Sequence, residues 1–461
     1  MTHLIQRSRA HRAPDIRRKN TVALVTPAHR CALDIDALIK SLTTAGITLS
    51  PFTRAGVQNH HNAIALVDLR GVALTNDRQD RLLSTVRRRP FRLAFIVDED
   101  CSSPFLDQLT DHADIISQSD LAGSHVAHRL KEMQRLVALE EEVMRRARVG
   151  TATARKTSGG AYQSAIDQPF NILIAGSPGP TMLPLINLIE ARGGETRGVY
   201  RPGQAIRALE SGRFTGAIFS TEKTGDPLNA LARAVHRHQR FYTMPVINIT
   251  EQKSRSQSDS PAGRMITSEG LLEKIYPILN SGHRRAARFR HFSQCAHQQC
   301  KETFKAYQTL SADARQHLIA SHLHSIFERH DNAQTDAPFI LLQTRRLARD
   351  TDGERKKAIN SIFGGQVRDR LQKSVRKSDF MVPLSESAEQ NIHAVYLPGA
   401  ARDDLSRIAG RLESLLRSTA LQDRKNPKPA RTLVTSRGFM RPQGLRLEET
   451  VAGMIHRLSA V

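Results

Sequence analysis

The most constraining feature of this chain is a recurring one: apolar runs of four or five residues, separated by stretches with helical periodicity. Val22-Ala-Leu-Val25, Ile64-Ala-Leu-Val67 and Leu93-Ala-Phe-Ile-Val97 form one series, closed by Asp114-Ile-Ile-Ser117. Asn171-Ile-Leu-Ile-Ala175, Gly216-Ala-Ile-Phe219 and Pro245-Val-Ile-Asn-Ile249 form a second. Such runs are too short for buried helices and lack the alternation of a half-exposed strand, so they read as strands covered on both faces. Strands alternating with helices wind into a parallel sheet between helical layers. The spacing predicts two copies of one doubly wound α/β module, over about residues 20–125 and 169–283.

Helical patterns fill the gaps. Leu33 to Leu42 follows the first strand, and a long charged amphipathic helix runs from His125 to about Ala147. Thr151 to Gln168 is rich in Gly, Ser, Thr and Ala and reads as a linker. In the second copy, Met182 to Arg192 is helical and stops at Gly193-Gly194, a good C-cap. Ala205 to Ser211 is a short helix, and Met265-Ile-Thr267 with Leu271 to Leu279 closes the module.

The remainder has another order. A helix from His317 to His330 leads into strand Phe339-Ile-Leu-Leu342, and helical sequence continues to Val375. Asp379 to Pro398 reads as a hairpin ending in Ala394-Val-Tyr-Leu397. Helix Arg402 to Leu416, strand Thr432-Leu-Val-Thr435 and helix Leu447 to Leu458 complete an α/β domain with antiparallel strands. The expected division is a basic disordered arm (1–20), a first module with its long helix (21–150), a linker (151–168), a second module (169–283), a connecting helix (284–310) and a third domain (311–461).

Charge narrows the partners. The 68 Lys+Arg against 45 Asp+Glu leave a net +23, which excludes an acidic solvating protein and points to anionic partners. Residues 1–168 carry +6, residues 169–283 carry +4 and residues 284–461 carry +13, so the basicity belongs mainly to the last part. Tryptophan is absent and aromatics are 5%, which argues against stacking platforms for single strands. Four cysteines do not make a disulfide scaffold. Cys295-Ala-His-Gln-Gln-Cys300, with His291 nearby, lacks the second ligand pair of a zinc finger and reads as a polar helix with reduced thiols. No run reaches the ~18 apolar residues of a membrane helix, and the basic N-terminus lacks the apolar core of a signal peptide. A cytoplasmic protein is expected, a polar position in the cell being an option.

The modules resemble response-regulator receiver domains. The second aligns through Asn171-Ile-Leu-Ile-Ala-Gly-Ser177, Ala217-Ile-Phe-Ser220 and Pro245-Val-Ile-Asn-Ile-Thr250. Family chemistry needs an acidic pair for Mg²⁺ and an Asp acceptor, and here those positions are Gly176-Ser177 and Ser220. The first copy keeps Asp68 at the acceptor position but has Thr26-Pro27 for the acidic pair, so Asp68 is a candidate phosphoacceptor beside the simpler reading of an Asp left at a strand end. Ala175-Gly-Ser-Pro-Gly-Pro-Thr181 resembles a phosphate loop in placement only; it lacks the lysine and spacing, and its prolines remove donors.

The third domain resembles a GGDEF domain, the family that makes cyclic di-GMP from two GTP. Arg376-Lys-Ser-Asp379-Phe-Met-Val-Pro-Leu384, Ala394-Val-Tyr-Leu-Pro-Gly399, Arg407-Ile-Ala-Gly-Arg-Leu412 and Val434-Thr-Ser-Arg-Gly-Phe439 carry the likeness in order and spacing. The signature falls on Ser385–Glu389 or on Glu389–His393, neither with the glycine pair or paired acids, and the other metal acid corresponds to Gln343, followed by Thr344-Arg-Arg346. Arginines where Mg²⁺ should sit invert the local field. The resemblance therefore implies no enzyme, no cofactor and no Mg²⁺. It also implies a retained inhibitory-type R-x-x-D site for cyclic di-GMP: Arg376 and Asp379, with Arg411 on the next helix and Lys373 and Lys377 adding charge. An arginine fork matches guanine O6/N7 or a phosphate, and a carboxylate accepts guanine N–H groups.

The whole resembles receiver–receiver–GGDEF response regulators of the PleD/PopA type, most closely the cyclic di-GMP effectors with altered signatures. That resemblance implies two-component and cell-cycle signalling, homodimers, and protein partners met through the receiver-like modules, including proteolytic adaptor machinery. Two other readings stay open: an active diguanylate cyclase with a divergent site, and a basic nucleic-acid- or protein-binding scaffold using Arg284-Arg-Ala-Ala-Arg-Phe-Arg290 and Arg424-Lys-Asn-Pro-Lys428.

Overall fold

A computed structural model describes residues 21–25, 38–40, 42–44, 47–51, 64–70, 75–88, 92–97, 104–110, 112–117, 125–149, 169–177, 182–221, 226–238, 241, 244–250, 268–332, 335–347, 366–386, 390–418, 421–423 and 426–459. The expected arm at 1–20, the linker at 151–168, Cys31, Cys101, the strand Met265–Thr267 and part of the helix Leu33–Leu42 lie outside them. The described fold is mixed α/β, with two parallel sheets and one antiparallel sheet.

The first sheet holds β1 (Thr21–Val25), β2 (Thr48–Pro51), β3 (Ile64–Asp68), β4 (Leu93–Val97) and β5 (Asp114–Ser117). All are parallel, in the order β2-β1-β3-β4-β5. Helices α1 (Asn76–Arg88) and α2 (Pro104–Thr110) pack with Phe95 and Ile115. Helix α3 (His125–Val149) packs Val126, Leu130 and Met133 with Ile64, Leu66, Ile96 and Ile116. The alternate residues of each apolar run thus serve two cores, which is why the runs are continuous.

The second sheet repeats the plan with β6 (Asn171–Ala175), β7 (Glu195–Val199), β8 (Gly216–Thr221) and β9 (Val246–Thr250), parallel in the order β7-β6-β8-β9. Helices α4 (Met182–Ala191), α5 (Pro202–Ser211) and α6 (Pro227–Arg237) join them. The predicted C-cap holds: Gly193 has φ 79°, and the Gly194 N–H closes on the Ile189 carbonyl at 3.0 Å. Helix α7 (Ser268–Thr309) runs unbroken for 42 residues, so the expected closing helix and connecting helix are one.

The third sheet is antiparallel, in the order β11-β12-β10-β14-β13. It comprises β10 (Ala337–Leu347), β11 (Phe380–Glu386), β12 (Gln390–Tyr396), β13 (Leu421–Asp423) and β14 (Asn426–Arg441). On one face Ile340, Leu342 and Val395 meet Val367 and Leu371 of a helical stretch at 366–374, and Leu405, Leu412 and Leu416 of α9 (Arg402–Ser418). On the other, Phe339, Leu341, Phe380 and Tyr396 meet Leu323, Ile326 and Phe327 of α8 (Ala312–Asn332) and Met454 of α10 (Leu447–Ser459).

The chain clusters into two compact units. Unit one is Met1–Val137 with Gly160–His291, and unit two is Ala138–Gly159 with Phe292–Val461. Unit one thus holds both parallel sheets. Within it, Asp114 is fully buried and takes ion pairs from Arg129 and Arg285, and Arg285 also reaches Glu132 at 3.2 Å. The stretch Arg284–Arg290, expected as a phosphate-contacting patch, therefore buries Arg285 and Arg288 in the fold. Among the described residues, no helix is long and apolar enough to cross a membrane.

Candidate functional site

The four residues Arg376-Lys-Ser-Asp379 form a closed turn between the helical stretch 366–374 and β11. The helix ends as the Val375 N–H bonds the Leu371 carbonyl at 3.0 Å. The Asp379 N–H then donates to the Arg376 carbonyl at 3.0 Å, and the Arg376 N–H returns to Asp379 Oδ2 at 2.8 Å. Ser378 Oγ adds a longer contact to Oδ1 at 3.4 Å. A short acidic side chain capping its own turn is a favoured local arrangement. Asp379 is buried, while Arg376 and Lys377 are exposed. Burial pushes the Asp379 carboxyl up to about 6, against the pull of the Arg376 N–H and the Arg376 and Arg146 guanidiniums. The carboxylate thus serves the turn, and the Arg376 guanidinium projects from it.

Beneath the turn lies a buried charged cluster from the last part of α3. Arg146 is 1% exposed and uses its whole fork. Its Nη2 donates to the carbonyls of Asp379 at 2.9 Å and Ser378 at 3.2 Å and reaches that of Lys377 at 3.5 Å. Its Nη1 meets the Ala296 carbonyl at 3.3 Å and Cys300 Sγ at 3.2 Å, and Nε donates to Glu142 Oε1 at 2.8 Å. The guanidiniums of Arg146 and Arg145 lie 4.9 and 5.0 Å from the Phe380 ring centre. Glu142 also takes two hydrogen bonds from Arg145, at 2.6 and 2.9 Å. Burial alone would raise Glu142, yet Arg145, Arg146 and Arg329 hold it at about 2.

His322 completes the cluster, with its ring 4.7 Å from Phe380 and both ring nitrogens without a hydrogen-bond partner. Burial, then Arg145, holds it down to about 3, so the ring is neutral. Sequence reasoning missed this cluster. Its one visible signal, Glu142 spaced three and four residues from Arg145 and Arg146, is also the pattern of a solvated helix face.

Arg411 sits on the outer side of α9, exposed and without a hydrogen bond or ion pair among the described residues. Its helix and the stretch leading to Arg376 cover the same face of the sheet, sharing one core through Leu371 and Leu412. Lys373 is exposed as well.

Two of the positions where the resemblance would place catalysis, Gln343 and His393, are core positions. Gln343 is buried in β10, registered with Ile392 and Thr435. His393 is buried in β12 with both ring nitrogens unpartnered, and burial, then Arg368, holds it down to about 4. Ser385 and Glu386 end β11, and residues 387–389 lie outside the described set. Arg345 is exposed on β10.

Asp68 ends β3 with 3% exposure. Arg70 folds back on it: Nε donates to Oδ1 at 3.0 Å, Nη2 to Oδ2 at 2.9 Å, and its backbone N–H to Oδ1 at 3.1 Å. A phosphoryl group would have to displace that guanidinium, itself 2% exposed. In the second module, a Cβ on Gly176 would lie 2.7 Å from Ser220 Cβ and O, so no acidic side chain fits there. Ser220 is followed by a neutral network in which Thr221 and Asn248 both donate to Asn229 Oδ1. Cys295 and Cys300 lie on α7, and among the described residues no group of three or more His, Cys, Asp or Glu is placed to hold a metal.

Comparison with family models finds no match, and comparison with curated proteins finds none. Among solved structures, the chain is similar to a putative sugar binding protein from Salmonella typhimurium LT2. That likeness covers 58% of this chain and 88% of the other, at 9% identity and a TM-score of 0.16, too low to carry an argument.

Proposed function

We propose that this chain is a catalytically inactive signalling effector that binds cyclic di-GMP at the Arg376–Asp379 turn. The first two modules are receiver-like, a reading supported by the β2-β1-β3-β4-β5 order that flavodoxin-like sheets use. The third is GGDEF-like, supported by the motifs in its sequence and their places in the antiparallel sheet. The observation that carries the reading is the division of labour in the turn. Asp379 caps the backbone, which leaves Arg376 exposed beside Lys377 at the end of a helical stretch that shares its core with the helix of Arg411.

Two arginine forks and a lysine suit a ligand with two phosphates and two guanine edges. Asp379 acts as the turn's brace. Gln343 and His393, buried where Mg²⁺ ligands or the signature would be needed, support the absence of cyclase chemistry. The sealed Asp68 and the acid-excluding Gly176 support receivers that serve as docking and dimerisation modules for protein partners. Cyclic di-GMP titrated into the chain should release heat, and Arg376→Ala and Arg411→Ala should each weaken binding at least tenfold. No heat with the wild type sinks the effector reading, and cyclic di-GMP formed from GTP and Mg²⁺ would restore the enzyme reading.

A further inference from the structure

Arg146 is bound to the turn more completely than any ordinary surface arginine needs to be. Three successive carbonyls, those of Lys377, Ser378 and Asp379, converge on its Nη2 at 3.5, 3.2 and 2.9 Å. Nη2 carries two N–H groups, which the Asp379 and Ser378 carbonyls occupy, with the Lys377 carbonyl at the outer limit of the same contact, and a cation suits such a gathering of partial negative charge. The guanidinium is itself held on the other side by Glu142 and by α7, through the Ala296 carbonyl and Cys300 Sγ. Its plane is packed over Phe380, the residue after the turn. The contact joins residues 231 to 233 positions apart in sequence, so it ties the end of α3 to the turn and not to its own neighbourhood.

We infer that Arg146 is the positioning residue of the Arg376–Asp379 turn, and that ligand occupancy there is linked through it to α3. The regulatory part rests on the proposed function; the positioning part does not. Arg146 is buried and its fork is spent inside the fold, so it acts through the turn without touching a ligand. With the three carbonyls gathered, the backbone that carries Arg376 has one conformation, and binding costs little ordering. Without them the turn samples others, and affinity falls by the populated fraction. Linkage is reciprocal: a ligand that needs the gathered turn also favours the α3 position that supplies Arg146.

The test combines cyclic di-GMP titration with amide hydrogen exchange on the full chain, using Arg146→Lys and Arg146→Ala. Lysine keeps the charge but cannot divide it among three carbonyls, Cys300 and Glu142 at once. The expected result is at least tenfold weaker binding by both variants, faster exchange at the Arg376 and Asp379 amides, and ligand-slowed exchange at residues 142–146 in the wild type. If Arg146→Ala fails to fold, Arg146→Lys carries the test. Wild-type affinity and wild-type exchange in Arg146→Lys overturn the inference. If the wild type binds no cyclic di-GMP, the functional reading and the linkage to it fail together. The positioning claim is then decided without ligand, and unchanged exchange at Arg376 and Asp379 in Arg146→Lys overturns it.

Discussion

Asp68 and Asp379 are both buried, and each is bonded to a nearby arginine, but the bond differs. At Asp68 the arginine lies two residues downstream and its side chain wraps back, so the guanidinium neutralises the carboxylate and both are consumed. At Asp379 the arginine lies three residues upstream and only its backbone N–H is used, so its guanidinium stays outside. The same two residue types therefore give a sealed core pair in one unit and an exposed cation in the other. Which part of the arginine meets the acid decides whether any charge is left for a partner.

The largest expected effect breaks the sealed pair. Asp68→Ala leaves Arg70 without its bidentate partner in the core and should cost about 3–5 kcal/mol of stability, read by chemical denaturation. Cyclic di-GMP binding should not change, and acetyl phosphate should leave no aspartyl-phosphate adduct on the wild type. A stable, phosphorylatable Asp68 would contradict the sealed reading.

Acidification tests the cluster under the turn. His322 and His393 are held at about 3 and about 4 against an ordinary 6.5, so the unfolded chain binds more protons than the folded one below pH 6.5. Their contribution is present above pH 6.5 and is lost as the pH falls, on the order of 2–4 kcal/mol for each histidine at pH 4. Asp379 works in the opposite sense. Raised to about 6 from 3.8, it favours the folded state as the pH drops from about 6 to about 4, and it offsets part of the loss. Two histidines outweigh one carboxyl, so net stability should fall between pH 6.5 and 4, and His322→Gln should flatten that slope.

A smaller effect separates capping from ligand contact. Asp379→Ala strands the Arg376 N–H and should cost about 1–3 kcal/mol. Asp379→Asn keeps an acceptor oxygen for that N–H, so its cyclic di-GMP affinity should stay within threefold of wild type. A loss as large as that of Arg376→Ala would mean that the carboxylate itself meets the ligand. The smallest effect is expected at Arg407, an exposed arginine paired with Asp404 on the same helix as Arg411. Arg407→Ala should move stability by less than about 0.5 kcal/mol and leave binding unchanged.

Much of the fold was legible because apolar runs of four or five residues, too short for buried helices, read as strands covered on both faces. Three strands escaped, β2 (Thr48–Pro51), β7 (Glu195–Val199) and β13 (Leu421–Asp423), and all three are edges of their sheets. An edge strand needs no apolar run: in Glu195-Thr-Arg-Gly-Val199 only Val199 is buried. Strand β14 is far longer than the predicted Thr432–Thr435, because its ends are recruited by pairing with β10 and β13 and not by their own composition. At the candidate site, Arg376 and Asp379 were readable as a motif, but their roles were not. Asp379 was read as a ligand group, and the turn adds a capping role that its sequence did not announce, its carboxylate accepting from the Arg376 N–H. Arg146 was one basic residue in the last turn of a charged helix, and nothing local announces a partner more than two hundred residues away.

The central claim is that the Arg376 guanidinium is free for a ligand while the Arg70 guanidinium is not. Calorimetric titration of cyclic di-GMP into the wild type, Arg376→Ala and Asp68→Asn tests it most directly. The account predicts saturable binding by the wild type and by Asp68→Asn, with the heat abolished in Arg376→Ala. Undiminished binding by Arg376→Ala, or none by the folded wild type, would contradict it.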